Sequence, residues 1–192
     1  MNLPNKITLF RICLIPVFML FLFVDWPLGT VDAFGTHIPA AHLIAAFLFL
    51  FAAATDWLDG YYARKLKLIT NFGKFIDPLA DKLLVAAALI GLVELGLLAG
   101  WMAIVIISRE FAVTGIRLIA SADGEVIAAS KLGKWKTLSQ IVAISALLLY
   151  NFPFSIVNLP FDQLAIWVAT LLTLCSGIDY FMKNKQIILK SK

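Results

Sequence analysis

Charge is what this sequence has least of. Asp, Glu, Lys and Arg make up 15% of its 192 residues, against about 25% in soluble domains, while 61% are hydrophobic. Such a chain can bury its apolar residues only if much of its outer surface faces lipid, which excludes a water-soluble globule. Cysteine is scarce too. Cys13 and Cys175 both fall in apolar runs and form no C-x-x-C pair, so a disulfide framework and a thiolate metal or redox centre are excluded. Both are expected as small buried hydrophobes. A cleavable secretory signal is lacking: the N-terminal apolar run contains Arg11 and has no small-residue cleavage site, so it reads as a retained first span. There is no internal repeat and no room for a soluble domain, and residues 1–192 are expected as one membrane domain.

Positive charge is missing from three long stretches, 18–63, 83–108 and 137–182. These hold the connections 26–37, a tight Ala99–Gly100 turn and 151–162. Six apolar segments approach the roughly 20 residues needed to cross a bilayer as helices. They lie near Ile7–Asp25, Ile38–Leu58, Leu79–Leu98, Trp101–Ser121, Thr137–Tyr150 and Gln163–Met182, the fifth being short. The expected fold is an all-α six-transmembrane-helix bundle. The positive-inside rule puts both termini on the cytoplasmic side of the cell membrane and the Lys- and Arg-free connections outside. The basic residues form no soluble patch, so nucleic-acid binding is excluded. The opening N-L-P-N-K-I-T-L-F-R sets Asn5, Thr8 and Arg11 at steps of three, which predicts a short amphipathic helix on the inner surface before the first span.

Between Asp56 and Asp81 the chain reads D-W-L-D-G-Y-Y-A-R, eight residues, then G-K-F-I-D-P-L-A-D. Asp56 and Asp59 are three apart and Asp77 and Asp81 four apart, so each pair shares a helix face. The first pair closes one apolar run and the second opens the next, so a helical turn brings four carboxylates together at the cytoplasmic end. Without a counter-charge they would repel one another and take up protons. A divalent cation removes the conflict, and all-oxygen ligation selects a hard ion. The plainer reading, Asp77–Pro78 as a helix N-cap, accounts for one or two of the four. His37 and His42 fall on the outer side, away from the carboxylates.

The pattern D-x-x-D-G-x-x-A-R-x8-G-x3-D-x3-D, at Asp56, Asp59, Gly60, Ala63, Arg64, Gly73, Asp77 and Asp81, resembles the signature of the CDP-alcohol phosphatidyltransferase family. The resemblance implies a CDP-diacylglycerol donor, transfer of its phosphatidyl group to an alcohol, and release of CMP. It implies Mg²⁺ or Mn²⁺, two ions on Asp56, Asp59, Asp77 and Asp81, with Asp81 also the general base on the acceptor hydroxyl. Gly60, Ala63, Arg64 and Gly73 are implied around the CDP moiety, the glycines allowing close backbone approach.

The fourth apolar segment is unusual in carrying Arg109, Glu110 and Arg117. Arg109 is 12 residues from Ser121, or about 18 Å along a helix, deep for a charge. An internal Arg–Glu pair fixing helix packing and a phosphate pocket both satisfy that placement. The following segment S-K-L-G-K-W-K-T reads as a cytoplasmic loop with Lys131, Lys134 and Lys136, for which contact with lipid headgroups suffices for at least two of the three. R-E-F-x-V-T-G-x-R and L-G-K-x-K-T are similar to the family branch that uses glycerol 3-phosphate. That similarity implies Arg109, Arg117 and Lys134 as ligands of the acceptor phosphate, and sn-glycerol 3-phosphate as acceptor. Inositol phosphate, serine or phosphatidylglycerol as acceptor, and outside enzymes an ion-coupled transporter, are the alternatives. A transporter predicts acids near the midplane, whereas these cluster at the cytoplasmic ends. Alanines at 52–54 and 86–88, with Gly91 and Gly96, suit close helix packing or the seam of a homodimer, which is the expected assembly.

Overall fold

The computed structural model describes residues 3–33, 35–66, 71–122 and 131–185, with side chains given for these except 3–5, 33, 56–66, 71–78, 119, 121–122 and 131–132. The chain forms α1 (Leu3–Phe23), a hairpin of β1 (Thr30–Ala33) and β2 (Thr36–Pro39), α2 (Ala40–Leu66), α3 (Asn71–Glu94), α4 (Gly100–Ala122), α5 (Lys131–Leu148), a 3₁₀ turn at Phe154–Val157 and α6 (Phe161–Lys183). Among the described residues, two stretches, Lys6–Phe23 in α1 and Phe161–Lys183, are long and apolar enough by length and composition to cross a membrane.

The helices fall into two groups of three. α1 packs on both α2 and α3, and α6 packs on both α4 and α5; α2 and α3 then meet α5 and α4 along the seam. Every helix sends at least one large side chain into the shared core. Phe18, Phe49, Leu89, Ile106, Ile144 and Ile166 are all less than 2% exposed. Ala45, Ala52, Ala88, Ala103, Ala143 and Ala169 are buried between them, and such small residues let helices approach closely. At Gly91 the approach is tightest, since a Cβ there would lie 2.4 Å from Cδ2 of Leu22.

The three connections without Lys or Arg share one end of the bundle. Thr36 Oγ1 in the hairpin donates to Ser155 Oγ at 2.7 Å, and His42 Nδ1 lies 2.8 Å from the Tyr150 hydroxyl with the two rings stacked. The Trp101 and Trp167 rings, 5.4 Å apart, bring the starts of α4 and α6 to the same end. The hairpin itself was not expected from the sequence. Its register pairs Thr30 with Pro39 and Ala33 with Thr36, with Gly35 at φ +88°, a backbone region that favours glycine. An exposed Asp32–His37 pair closes it.

Four expectations are corrected. The N-terminus does not form a separate amphipathic helix. α1 is continuous from Leu3, and Thr8, Arg11, Ile15, Phe18 and Leu22 form one buried stripe at helical spacing, so the polar face turns into the bundle. The turn after α3 comes earlier than Ala99–Gly100. α3 ends at Glu94, where Leu97 N–H bonds Leu92 C=O at 2.9 Å and Gly96 N–H bonds Val93 C=O at 3.0 Å, with Gly96 at φ +71°. That is the Schellman pattern, for which glycine is favoured at the left-handed position. The segment from Lys131 is helix rather than loop, so the short fifth span becomes the 18-residue α5. Cys13 and Cys175 are exposed rather than buried, on the outer faces of α1 and α6.

Candidate active site

Two arms make up the site. The first is carried by backbone placement. Asp56 and Asp59 lie inside α2, which runs on to Leu66, and Asp77 and Asp81 lie inside α3, which begins at Asn71. Asp77 is therefore interior to a helix and not an N-cap, which removes the capping account of this residue. α2 and α3 pack together and are separated by only four residues of chain, so both aspartate pairs belong to one end of the bundle. The side chains of Asp56, Asp59 and Asp77, and those of the expected donor-site positions Gly60, Ala63, Arg64 and Gly73, lie outside the described residues. Asp81 is described and half-buried. As a donor set, four carboxylates fit Mg²⁺ or Mn²⁺ and poorly suit a soft metal.

The second arm is a network of side chains from α4, α5 and α6. Arg109 Nη1 donates to Glu110 Oε1 at 3.2 Å, and Arg109 Nη2 donates to Ser176 Oγ on α6 at 2.7 Å. The same Glu110 oxygen receives the ammonium of Lys136 from α5. Below it Gln140 Nε2 donates to Thr173 Oγ1 at 3.0 Å, joining α5 to α6 again. These groups are well shielded: the side chains of Arg109, Glu110 and Lys136 are 12%, 15% and 4% exposed. Across a narrow crevice between α3 and α4, Lys82 lines the wall opposite Glu110. Lys82 follows Asp81 in α3, so this wall of the crevice is one residue along the chain from the first arm.

The three expected acceptor-site cations are not brought together. Arg109 takes part in the network. Arg117 is exposed two turns further along α4, with its guanidinium carbon 5.5 Å from the centre of the Tyr180 ring. Lys134 is exposed, and Lys136 occupies the inward position instead. The reason is geometric, because residues two apart on a helix do not face the same way. Between Glu110 and Arg117 on the same helix, Thr114 Oγ1 donates to the Glu110 backbone carbonyl at 2.7 Å.

Lys136, Ser176 and Gln140 were not singled out from the sequence. A signal existed for Lys136 and Gln140. Counting back along α5 from the apolar positions Leu147, Ile144 and Ala143, helical spacing assigns both to the buried face. No local pattern marks Ser176.

The profile of the CDP-alcohol phosphatidyltransferase family matches residues 1–175. A protein of Bacillus subtilis called CDP-diacylglycerol–glycerol-3-phosphate 3-phosphatidyltransferase is 61% identical over 183 residues, 95% of each chain. Proteins of the same name from Rickettsia bellii and Haemophilus influenzae are 37% and 38% identical, covering 96% and 98% of this chain and 96% of each relative.

Proposed function

The chain belongs to the CDP-alcohol phosphatidyltransferase family, and from that premise we propose that it transfers the phosphatidyl group of CDP-diacylglycerol to sn-glycerol 3-phosphate, giving phosphatidylglycerol phosphate and CMP. The observation that carries this reading is the pairing of an all-carboxylate arm with a buried cationic arm at adjacent positions. One suits a diphosphate held through cations, the other a second anionic substrate. The relatives' shared name supplies the acceptor.

In the reaction the acceptor hydroxyl oxygen forms a new bond to the phosphatidyl phosphorus, the bond from that phosphorus to the CMP oxygen breaks, and the hydroxyl proton passes to a base. Asp81 is that base; it lies one turn beyond Asp77 in α3 and is half-buried. Asp56, Asp59, Asp77 and Asp81 would hold two Mg²⁺ or Mn²⁺ ions, whose charge would polarise the phosphorus and offset that of the leaving CMP. Gly60, Ala63, Arg64 and Gly73 surround the CDP moiety. Arg109 serves the acceptor phosphate, for which a guanidinium is suited because it matches phosphate oxygens in pairs and stays charged when desolvated, while Arg117 and Lys134, both exposed, draw the anion towards it.

All six helices span the cytoplasmic membrane in this proposal, with the site and both termini inside. In support, large apolar side chains crowd the exterior; Phe47, Ile104 and Ile178 are 67%, 66% and 64% exposed. The Lys- and Arg-free connections share one end. Assembly as a homodimer is proposed from family membership alone.

The test is purified protein in detergent with CDP-diacylglycerol, Mg²⁺ and equal glycerol 3-phosphate and inositol phosphate. The glycerol product with stoichiometric CMP is expected, and none without divalent ions. An inositol product alone overturns the acceptor; no CMP from any alcohol overturns the reaction. For topology, cysteine placed at Asn158 should be labelled by an impermeant reagent from outside and cysteine at Lys134 should not. The reverse pattern overturns the orientation.

A further inference from the structure

Among the described residues Arg11 has the largest fully buried side chain, 1% exposed, and it is a cation. At its place in α1 an arginine could run outward along the helix to water or headgroups, as the exposed Lys6 does. It turns inward instead, on the stripe Thr8, Arg11, Ile15, Phe18 and Leu22, in the helix that packs on α2 and α3. Burying a guanidinium is costly unless charge of the opposite sign lies near it. The proposed reaction gives Arg11 no part.

The contacts of α1 fix its level against both neighbours. Near the outer end a Cβ on Gly91 of α3 would meet Leu22, and His42 of α2 lies against the backbone of the same Leu22. Arg11 is 11 residues inward of Leu22 and Asp81 is 10 residues inward of Gly91, rises of about 17 and 15 Å. The same count inward from His42 arrives at Ala53, one turn short of Asp56, and the Phe10–Phe51 and Phe18–Phe49 ring contacts bracket this level. A helical side chain leans towards the N-terminus of its helix, so Arg11 reaches from the level of Ala53 towards that of Asp56. The buried stripes agree. Ala45, Phe49 and Ala52 on α2, at steps of four and three, continue inward to Asp56 and Asp59. Ala88 and Leu84, on the face of α3 that meets α1 at Gly91, continue inward to Asp81 and Asp77.

Among the described side chains of α1, α2 and α3 no other cation is so placed. Lys6 is exposed, and Lys82 is half-buried on the crevice that α3 forms with α4. Resting on the proposed reading of the four aspartates, we infer that Arg11 is the fixed counter-charge of the aspartate arm. It is a positioning residue: at 1% exposure it acts through the carboxylates and not on a substrate. Without divalent ions, one guanidinium fork can serve two carboxylates at once, offsetting part of their repulsion and holding α2 and α3 against α1. When divalent ions enter, the fixed positive charge stands beside theirs and opposes them. Arg11 thus keeps the arm in shape without ions and weakens their binding.

The test measures thermal unfolding in detergent, and Mn²⁺ binding by calorimetry, for wild type, Arg11→Met and Arg11→Lys. In EDTA, Arg11→Met should unfold at a much lower temperature than wild type. Saturating Mn²⁺ should close most of that gap, because the ions replace the lost charge, and the affinity of Arg11→Met for Mn²⁺ should rise about threefold or more. Arg11→Lys, which keeps the charge, should resemble wild type in both respects. A residue that only fills space would lower the midpoint equally with and without Mn²⁺. That result overturns the inference, as does an unchanged affinity where wild type binds Mn²⁺. A double-mutant cycle in EDTA makes the test independent of ions. The loss caused by Arg11→Met should shrink to about half or less in the Asp56→Asn or the Asp81→Asn background, and full additivity in both overturns the inference. If Arg11→Met does not fold alone, recovery of folding in either double variant supports the counter-charge and failure of both overturns it. If the cycle shows coupling but wild type binds no Mn²⁺, the counter-charge stands and the proposed ion-dependent reaction falls.

Discussion

The two arms of the site differ in how they are built. The aspartate arm comes from two consecutive helices, all four acids lying within 26 residues of chain with their spacing set by helix geometry. The cationic arm comes from three helices: Arg109 and Glu110 of α4, Lys136 of α5 and Ser176 of α6. Arg109 and Ser176 are 67 residues apart, and Glu110 and Lys136 are 26 apart. A local arm can be moved whole and keep its geometry, so it suits the chemistry that any acceptor requires. A distributed arm changes with each helix that contributes to it, so it suits the part that distinguishes one acceptor from another. The comparison predicts that damage to the first arm abolishes turnover and damage to the second shifts the choice and affinity of the acceptor.

The largest effects should fall on the first arm. Asp56→Asn, Asp59→Asn and Asp77→Asn should each lose nearly all activity while the protein still inserts and folds, because an amide is a weak ligand for a hard cation. Divalent-ion binding by calorimetry should fall with the activity; unchanged binding in all three would break the assignment. Asp81→Asn should be distinct. General-base catalysis contributes about 10²–10⁴-fold, so kcat should drop by that order with CDP-diacylglycerol affinity kept. If donor affinity falls as far as in Asp56→Asn, Asp81 is chiefly a ligand and the base is another group.

Substitutions in the second arm should act on KM. Arg109→Ala removes a guanidinium bonded to both Glu110 and Ser176 and should raise the KM for glycerol 3-phosphate far more than that for CDP-diacylglycerol. Arg117→Ala should do the same to a lesser degree, because Arg117 is exposed and joined to the bundle only by its approach to Tyr180 among the described contacts. Equal losses in donor and acceptor KM would erase the distinction between the arms.

The same contrast explains what could be read from the sequence. The six helices were legible because apolar runs and missing Lys and Arg are properties of continuous segments; α4 agrees with its expected bounds to one residue at each end. The aspartate signature was legible for the same reason. The hairpin was not: T-V-D-A and T-H-I-P are four residues each, and the alternation of polar and apolar residues in T-V-D-A is too short to tell a strand from a loop. Lys134 and Lys136 are alike as sequence, and only the phase of α5 separates the exposed one from the buried one. A loop has no phase. Reading 131–136 as a loop therefore hid Lys136, and extending the helix by the six residues the structure adds would have exposed it. Ser176 needed the register of α6 against α4, which no local pattern carries.

The smallest predicted effect tests how finely the second arm is set. Gly177 on α6 faces the stem of Arg109, and a Cβ at this position would lie 3.0 Å from Arg109 Cγ. That is closer than ordinary van der Waals contact, so in Gly177→Ala the Arg109 stem must yield by a few tenths of an ångström. It has room to do so, because on that side α4 and α6 border an open groove of about 550 Å³ lined by Ile104, Ala112 and Ile178. Folding should therefore survive with little loss. The guanidinium, however, is tied at its far end to Ser176 Oγ and Glu110 Oε1, so a shifted stem must tilt the fork or lengthen one of these bonds. A 1 Å misplacement of a positioning group costs about 100-fold, and a shift of a few tenths should cost several-fold. The expected outcome for Gly177→Ala is thus a several-fold rise in the KM for glycerol 3-phosphate. The KM for CDP-diacylglycerol and the unfolding midpoint should be nearly unchanged. A variant indistinguishable from wild type in all three would mean that Arg109 tolerates displacement, and that its two hydrogen bonds brace the helices without tuning the acceptor site.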